Sequence, residues 1–473
     1  MLFTNDKIFN STNTIICPIE LHLEKSINLD KNITYMSIVD NYIYCRISNN
    51  VYESQHYQDL TSRINIINPL EVQLDNYFKI NKNIASHNMY FFKDKENNIK
   101  SIGGQHLGIN SLHYFKNNII YYNYHNLNLF IDSKNYGILM SGYNKIYNPS
   151  IPCPYYANGL HLFEFNEVIE DKLTCLNNNL PIISGIHPGR YDGHYGYTDN
   201  KHIKNSRNGL SVYDSLGSII YNDEKKLYFL YHRANIGTGR RTIQYSTSPD
   251  LINWSEYNLV NFGENYNYFN SNMYISNFFK LGDCYMAILP YIKRLTNDYD
   301  SKDNKQYNLL FYSHDCIHYN LIGPILINND ITSLEEVCMA TNKPYIHNNK
   351  MYFYFVNTEN KSMNIYSSKL DRFCYITNKT DNECTFKLKV TSFNENKIKL
   401  NLEVNNNGYL LMQLYDKDNK IIPGYEFDYF DKISVIDSLD YVVSWNNNSI
   451  IPYDDIIISF KLYNSKLYNI NNN

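Results

Sequence analysis

Along most of this chain, apolar and polar residues alternate with a period of two, the spacing of half-buried strands. The clearest stretch is 213–254, YDSLGSIIYNDEKKLYFLYHRANIGTGRRTIQYSTSPDLINW. It parses as short antiparallel strands, with 217–221, 227–233 and 241–246 the plainest. Residues 222–226 form a polar turn and 234–238 a Gly-bearing loop. Ser248-Pro249-Asp250-Leu251 closes the segment ahead of Asn253-Trp254. Four such strands in roughly 40 residues match the size of one β-propeller blade. Asp214 stands at the entrance of the innermost strand, where side chains of such a fold converge on a central funnel.

The same pattern extends in both directions. Residues 1–30 read as an arm with one edge strand near 14–20, and 33–57 as a first blade. In that blade Asp40 reads as a turn residue and Arg46 as a surface charge. A strand over 88–92, a polar turn and a second strand ending at Gly103-Gly104 follow. Residues 105–154 break the period and read as a long insertion, and 159–165 supplies an outer strand. Residues 181–207 form a loop broken by Gly185, Pro188, Gly189, Gly193 and Gly196. It carries His187, Arg190, Asp192, His194, Asp199 and His202, whose spacing fits no standard metal site. Further strands are expected over 272–279, 284–291, 308–313, 341–346, 350–356 and 363–368. Three of these units end a strand in Ser before a polar turn, at Ser248, Ser313 and Ser367-Ser368. Recurrence at a near-constant period marks a repeat fold. The period stops after Asp371-Arg372. Residues 373–473 read as shorter alternating strands, with Asn405-Asn406-Asn407 and Asn446-Asn447-Asn448 as turns. The fold expected is all-β: a five-bladed β-propeller over 1–372, then a β-sandwich over 373–473.

Composition narrows the function. The 473 residues include 47 Tyr, and aromatics make up 15%, ample for one large core or two. The net charge is −4, and no Lys/Arg-dense run tracks phosphates, which argues against a nucleic-acid partner. No apolar run is long enough for a membrane span. The first residues lack a basic region followed by an apolar core, so no signal peptide is expected. Nine Cys without CxxC pairs fit a reducing compartment, cytoplasmic or virion-associated, and argue against a zinc cluster. No metal or cofactor is expected.

Several fragments, in order, resemble a known group. They are Ser86-His87-Asn88 with Phe92-Lys93-Asp94, Ile102-Gly103-Gly104, Tyr213-Asp214-Ser215-Leu216, Tyr231-His232-Arg233, Gly239-Arg240-Arg241 and Ser248-x-Asp250-x-x-x-Trp254. Together they resemble the five-bladed β-propeller glycoside hydrolases of the β-fructosidase/arabinanase-like superfamily, above all its "family 32 N-terminal-like" members. The C-terminal part is similar to their β-sandwich. The likeness runs from about Ser86 onward.

That resemblance implies a carbohydrate substrate and a funnel site. Cleavage of a glycosidic bond uses one carboxylic acid to protonate the leaving oxygen and a second to attack or activate water. A third carboxylate stabilises charge on the sugar ring. Asp94 matches the nucleophile or base, although its flanks are not the Asn-Asp-Pro of β-fructosidases. Asp214 matches the stabilising aspartate, with Tyr-Asp-Ser in place of Arg-Asp-Pro. The acid is expected where this chain reads Asn270-Ser271-Asn272, so Glu336 is favoured over Glu264 for that role. His87, Asn88, Asp192, His232 and Arg233 are candidate substrate contacts; the guanidinium can bind a carboxylate or hydroxyls in a bidentate fashion. Asp250 and Trp254 read as structural, the Asp closing its turn and the Trp filling a gap between blades.

Two other functions stay open. One is a non-catalytic carbohydrate-binding or surface protein on the same fold, favoured by the displaced acid and the altered motifs. The other is a sialidase, which needs an arginine cluster and a Tyr nucleophile. Arg190, Arg233, Arg240, Arg241 and Arg294 are present, but the Ser-x-Asp turn lacks its usual Gly.

Overall fold

A computed structural model of the chain describes residues 8–29, 32–39, 41–48, 60–74, 89–93, 99–102, 122–132, 134–141, 159–164, 174–175, 183–184, 217–237, 240–263, 271–273, 277–282, 284–293, 305–327, 339–357, 361–390, 396–452 and 455–471. The described residues are mostly strand, and the one helical element that lies wholly among them is the short 3-10 turn Phe427–Tyr429.

The chain starts with β1 (Ile8–Thr12), β2 (Thr14–Pro18) and β3 (Glu20–Asn28). A four-stranded sheet follows, with β4 (Asn32–Val39), β5 (Tyr42–Ser48), β6 (Leu60–Asn68) and β7 (Glu71–Leu74) in sequential order. The next sheet has seven strands: β8 (Met89–Lys93), β9 (Ile99–Ile102), β10 (Tyr122–Asp132), β11 (Lys134–Ser141), β12 (Gly159–Glu164), β13 (Thr174–Cys175) and β14 (Ile183–Ser184). β10 and β11 lie in the stretch expected to be an insertion, yet they form the middle of this sheet, between β8 and β12.

A nine-stranded sheet comes third. It contains β15 (Ser218–Asn222), β16 (Leu227–Gly237), β17 (Arg240–Ser248), β18 (Asn258–Leu259), β19 (Ser271–Met273), β20 (Asn277–Leu281), β21 (Cys284–Lys293), β22 (Lys305–Ser313) and β23 (Asn320–Pro324). Its two halves are joined by the parallel pairing of Arg241 in β17 with Asn272 in β19 and by a parallel bridge of Asn261 with His318, where Asn261 N–H donates to the Ile317 carbonyl (3.1 Å) and Tyr319 N–H to the Asn261 carbonyl (2.7 Å). The fourth sheet has β24 (Leu326–Ile327), β25 (Met339–Ala340), β26 (Tyr345–His347), β27 (Lys350–Asn357) and β28 (Ser362–Lys369), with β3 between β24 and β28.

Among the described residues there are thus four sheets outside the C-terminal one, where five blades were expected, because β19 bridges what the period reads as two. Their faces pack in succession. Phe229, Tyr231 and Ile243 meet Phe278, Tyr285, Phe311 and Tyr319 between the halves of the nine-stranded sheet. Met286, Ile288 and Leu310 then meet Met351, Phe353 and Phe355 of β27. The alternate β27 residues Tyr352, Tyr354 and Val356 meet Ile33, Met36, Ile43 and Ile64 of the first sheet. β27 is buried on both faces, which is why MYFYFV reads as an unbroken apolar run. The fourth sheet therefore neighbours the first, and β10 approaches both β4 and β15. The arrangement is propeller-like.

The C-terminal sheet holds β29 (Cys374–Asn378), β30 (Cys384–Val390), β31 (Lys399–Tyr415), β32 (Ile436–Val442) and β33 (Ile456–Asn471), together with β1 and β2. By hydrogen bonding it is one seven-stranded sheet, where two facing sheets were expected. β31 and β33 both kink at one level. Asn407 and Asn464 take positive φ (64 and 47), and the β31–β33 register shifts between Val404 and Tyr409. Gly408 is required there: a Cβ would sit 2.4 Å from the Asn464 carbonyl oxygen. Asn405-Asn406-Asn407 is accordingly a break inside a long strand, not a turn. Residues from before and after it, such as Leu400, Leu402, Met412 and Leu414, share one core with Phe386, Phe460 and Trp445.

The N-terminal residues expected as an arm tie these parts together. β1 pairs with β30 and β2 with β29, while β3 runs antiparallel to β28 along Ser362↔Asn28 to Ser367↔His22.

The seam between the two units is polar. Arg372, only 6% exposed, donates through Nε to Asn401 Oδ1 (2.9 Å) and through Nη2 to Asp437 Oδ1 (2.5 Å) and the Leu402 carbonyl (3.3 Å). Its guanidinium lies 4.2 Å from the Tyr468 ring centroid. Burial acts to raise the Asp437 pKa, but Lys369 and Arg372 outweigh it and hold the carboxyl below its ordinary range.

Candidate functional site

The strands that leave the Asp214 position are fully described. Gly217 opens β15, which pairs with β16 from Ser218↔Tyr231 to Asn222↔Leu227. β16 pairs in turn with β17, with His232 opposite Gln244, Arg233 opposite Ile243 and Ala234 opposite Thr242. Side chains of directly opposed residues share a face. His232, Gln244 and Thr242 therefore line one face, and Arg233, Ile243 and Tyr231 the other. All six are buried.

His232 and Arg233 are 1% and 0% exposed. Among the described residues Arg372 is the only other side chain of charged or imidazole type that is buried to this degree. Burying a cation is costly unless it is held by partners, so such residues are retained for a reason. His232 Nδ1 lies 3.2 Å from the Arg233 carbonyl oxygen, and Gln244 Nε2 donates to the same oxygen at 3.1 Å.

Below this polar layer the halves of the sheet are locked by hydroxyls. Tyr319 Oη donates to Tyr231 Oη (3.0 Å), which donates to the Cys316 carbonyl (2.7 Å). Burial first, and the neighbouring groups second, push both phenols well above their ordinary pKa. Burial also raises the Cys316 thiol to about 11, so it is a neutral packing residue rather than a nucleophile.

The Ser-x-Asp element is structural and occurs twice. At the end of β17, Asp250 Oδ1 accepts from the backbone N–H of Asn253 (2.7 Å) and Ile252 (2.9 Å) and from Ser248 Oγ (3.1 Å). At the end of β22, Asp315 Oδ1 accepts from the N–H of Ile317 and His318 (both 2.8 Å) and from Ser313 Oγ (3.0 Å). The next residue has positive φ in each, Leu251 at 66 and Cys316 at 68, and a buried aromatic follows, Trp254 or Tyr319. The Asn253 donors, before the other contacts, lower the Asp250 pKa to about 2. For Asp315 burial opposes ionisation, and the His318 donors outweigh it. The third unit departs from the pattern: Leu370 stands where the Asp would be, and positive φ falls on Asp371.

His87, Asn88, Asp94, Asp192, Asp214, Glu264 and Glu336 lie outside the described residues; their strands fix only their place along the chain. Asp214 precedes β15 and Glu336 precedes β25. Asp94 instead follows β8, in the connection to β9 that Lys93↔Ile99 closes as an antiparallel hairpin. It belongs to the opposite end of its strand, and Asn88 is the residue that precedes β8. At β19, where the resemblance puts the acid, the strand reads Ser271-Asn272-Met273 with no carboxylate. Sequence reasoning singled out His232 and Arg233 but not Thr242 or Gln244, whose polar side chains alternate with apolar ones in RTIQYS as any half-exposed strand would. No group of His, Cys, Asp and Glu among the described residues is arranged to hold a metal ion. No described helix is long and apolar enough to cross a membrane.

The sheets and the buried polar layer define an all-β protein of propeller-like arrangement. No protein family matches the chain, and no curated protein does. Among solved structures it is similar to a glycoside hydrolase at 11% identity, covering 73% of this chain and 90% of that one, with TM-score 0.39. It is similar also to a Bombyx mori GH32 β-fructofuranosidase (7% identity, 96% and 92% covered, TM-score 0.36). A third is an exo-β-1,3-galactanase from Phanerochaete chrysosporium (8% identity, 94% and 100% covered, TM-score 0.35).

Proposed function

We propose that this protein is a glycoside hydrolase-like enzyme whose site lies at the strand entrances beside β15 and β25. In this reading β19 marks the junction of two blades, which brings the ring to five. The observation that carries it is the pair of buried ionisable residues, His232 and Arg233, one strand from the Asp214 entrance. Glu336 is the acid that protonates the leaving oxygen, and Asp214 supports the cationic sugar ring or acts from its far side. Asp94 is the base of the resemblance, but its place after β8 favours Asp214 for that role. Arg233 binds substrate hydroxyls or a carboxylate.

The test is a hydrolysis screen with chromogenic fructosides, arabinosides, xylosides, galactosides and sialosides. Turnover lost in Asp214→Asn and Glu336→Gln but kept in Asp94→Asn supports the assignment. Loss in Asp94→Asn restores Asp94 as the base. The carboxylate-free β19 favours a second reading, a carbohydrate-binding propeller without a proton donor. No turnover, with glycan-array binding intact in wild type and all three variants, decides for it.

A further inference from the structure

Residues 405–408 interrupt the ladder of β31. Its pairing with β33 jumps from Val404↔Ser465 to Tyr409↔Tyr463, and its pairing with β32 ends at Val404↔Ile436, so these residues have no register partner. Three asparagines and a glycine fill the break. The asparagines are all exposed, but their side chains are not alike. Asn405 Nδ2 donates to Asn464 Oδ1 (3.4 Å), and Asn464 Nδ2 donates to the Asn406 carbonyl (2.9 Å). The side-chain amides of Asn406 and Asn407 make no hydrogen bond among the described residues. What separates these two is the residue that follows. Asn407 precedes Gly408, and it is the one asparagine followed by glycine among the described residues. A Cβ on the following residue shields the backbone nitrogen that an asparagine side chain can reach, and glycine has none. The kink holds this pair in place. Asn407, at φ 64, lies in the left-handed region that asparagine tolerates, and a Cβ on Gly408 would sit 2.4 Å from the Asn464 carbonyl oxygen.

We propose that Asn407 is a self-modification site, cyclising onto the backbone nitrogen of Gly408. The Gly408 N–Asn407 Cγ bond forms as the Cγ–Nδ2 bond breaks, and Nδ2 leaves as ammonia with the Gly408 amide proton. The product is a cyclic imide, and nothing is oxidised or reduced. Water then opens the ring at either carbonyl, leaving aspartate or its β-linked isomer at position 407. The β-linked form adds one atom to the β31 backbone. The ladder is already interrupted there and resumes at Tyr409, so the break absorbs that atom and the sheet persists.

The test is peptide mapping by mass spectrometry of the full-length protein aged in mildly alkaline buffer, native beside urea-unfolded. In the native protein Asn407 should lose its amide at least tenfold faster than Asn405 and Asn406, and give both the aspartyl and the β-linked peptide. The aged protein should still unfold cooperatively. An Asn407 amide that stays intact in the native protein, whether or not the unfolded chain loses it, overturns the proposal. So does a smaller preference over Asn405 and Asn406, or an aspartyl peptide without its β-linked isomer, which would mean direct hydrolysis. Asn407→Gln needs a larger ring to cyclise, so it should unfold near the wild-type midpoint and keep its amide; loss at the wild-type rate also overturns the proposal. The wild-type arm decides without the variant.

Discussion

Arg372 and Arg233 are buried almost equally but belong to different kinds of place. Arg372 sits where the propeller-like sheets meet the C-terminal sheet, and its partners Asp437, Asn401 and Tyr468 all come from the far side of that seam. Arg233 lies inside one sheet, next to His232, on the strand paired to the one that follows Asp214. Burial alone does not separate them. Topology does: the first residue joins two units, and the second stands at the approach to a candidate site.

The comparison can be broken most severely by removing residues 1–28. β1, β2 and β3 supply strands to both units, so the truncated chain is expected to lose cooperative unfolding altogether, as followed by circular dichroism and calorimetry. Retained two-state unfolding would show that the strap is dispensable. Arg372→Ala comes next. It takes away the Nε donor of Asn401 Oδ1 and one of the two cations that hold Asp437, leaving Lys369, and should cost about 2–3 kcal/mol by denaturant titration, with glycan binding unchanged. Arg233→Lys should show the reverse, a small stability change and at least a tenfold loss of glycan affinity or turnover, which corresponds to about 1.4 kcal/mol. A matching loss in both Arg variants would erase the distinction.

The smallest effect concerns the Ser-x-Asp turns. Asp250→Asn removes an anionic acceptor of backbone N–H groups and should cost about 1 kcal/mol at neutral pH. Because folding lowers the Asp250 pKa from 3.8 to about 2, its contribution is complete above about pH 4 and is lost as the pH falls through about 2. The variant should therefore show a shallower loss of stability between those pH values than wild type.

Local chemistry was legible where the residues deciding it are neighbours in sequence. Strands β21, β27 and β28 stand close to their expected limits, because each alternates between two turn signals, whereas β16 runs on to Gly237 through residues expected as a loop, held there by pairing with β17. Asp250 closes its turn as the pattern implies. What was hidden depends on partners far away. β3 reads as ELHLEKSIN, largely polar because it is exposed along most of its length, and only its pairing with β28 makes it a strand. β10 and β11 are rich in Asn and Tyr, which masked their place in the middle of a sheet. Asn405-Asn406-Asn407 has turn composition, yet β31 pairs with β33 on both sides of it, with Asn464 kinked opposite. The polar layer of His232, Thr242 and Gln244 forms only once β16 and β17 are in register.

The strap also sets an order of events during synthesis. Asn13 hydrogen-bonds the carbonyl of Asn382, 369 residues away, and β3 waits for β28. These strands therefore leave the ribosome well before the strands they pair with. Until then they present unpaired edges, which invite association with other chains. A nascent or prematurely ended chain is the form of this protein most in need of a chaperone, and such long-range closure makes for slow folding.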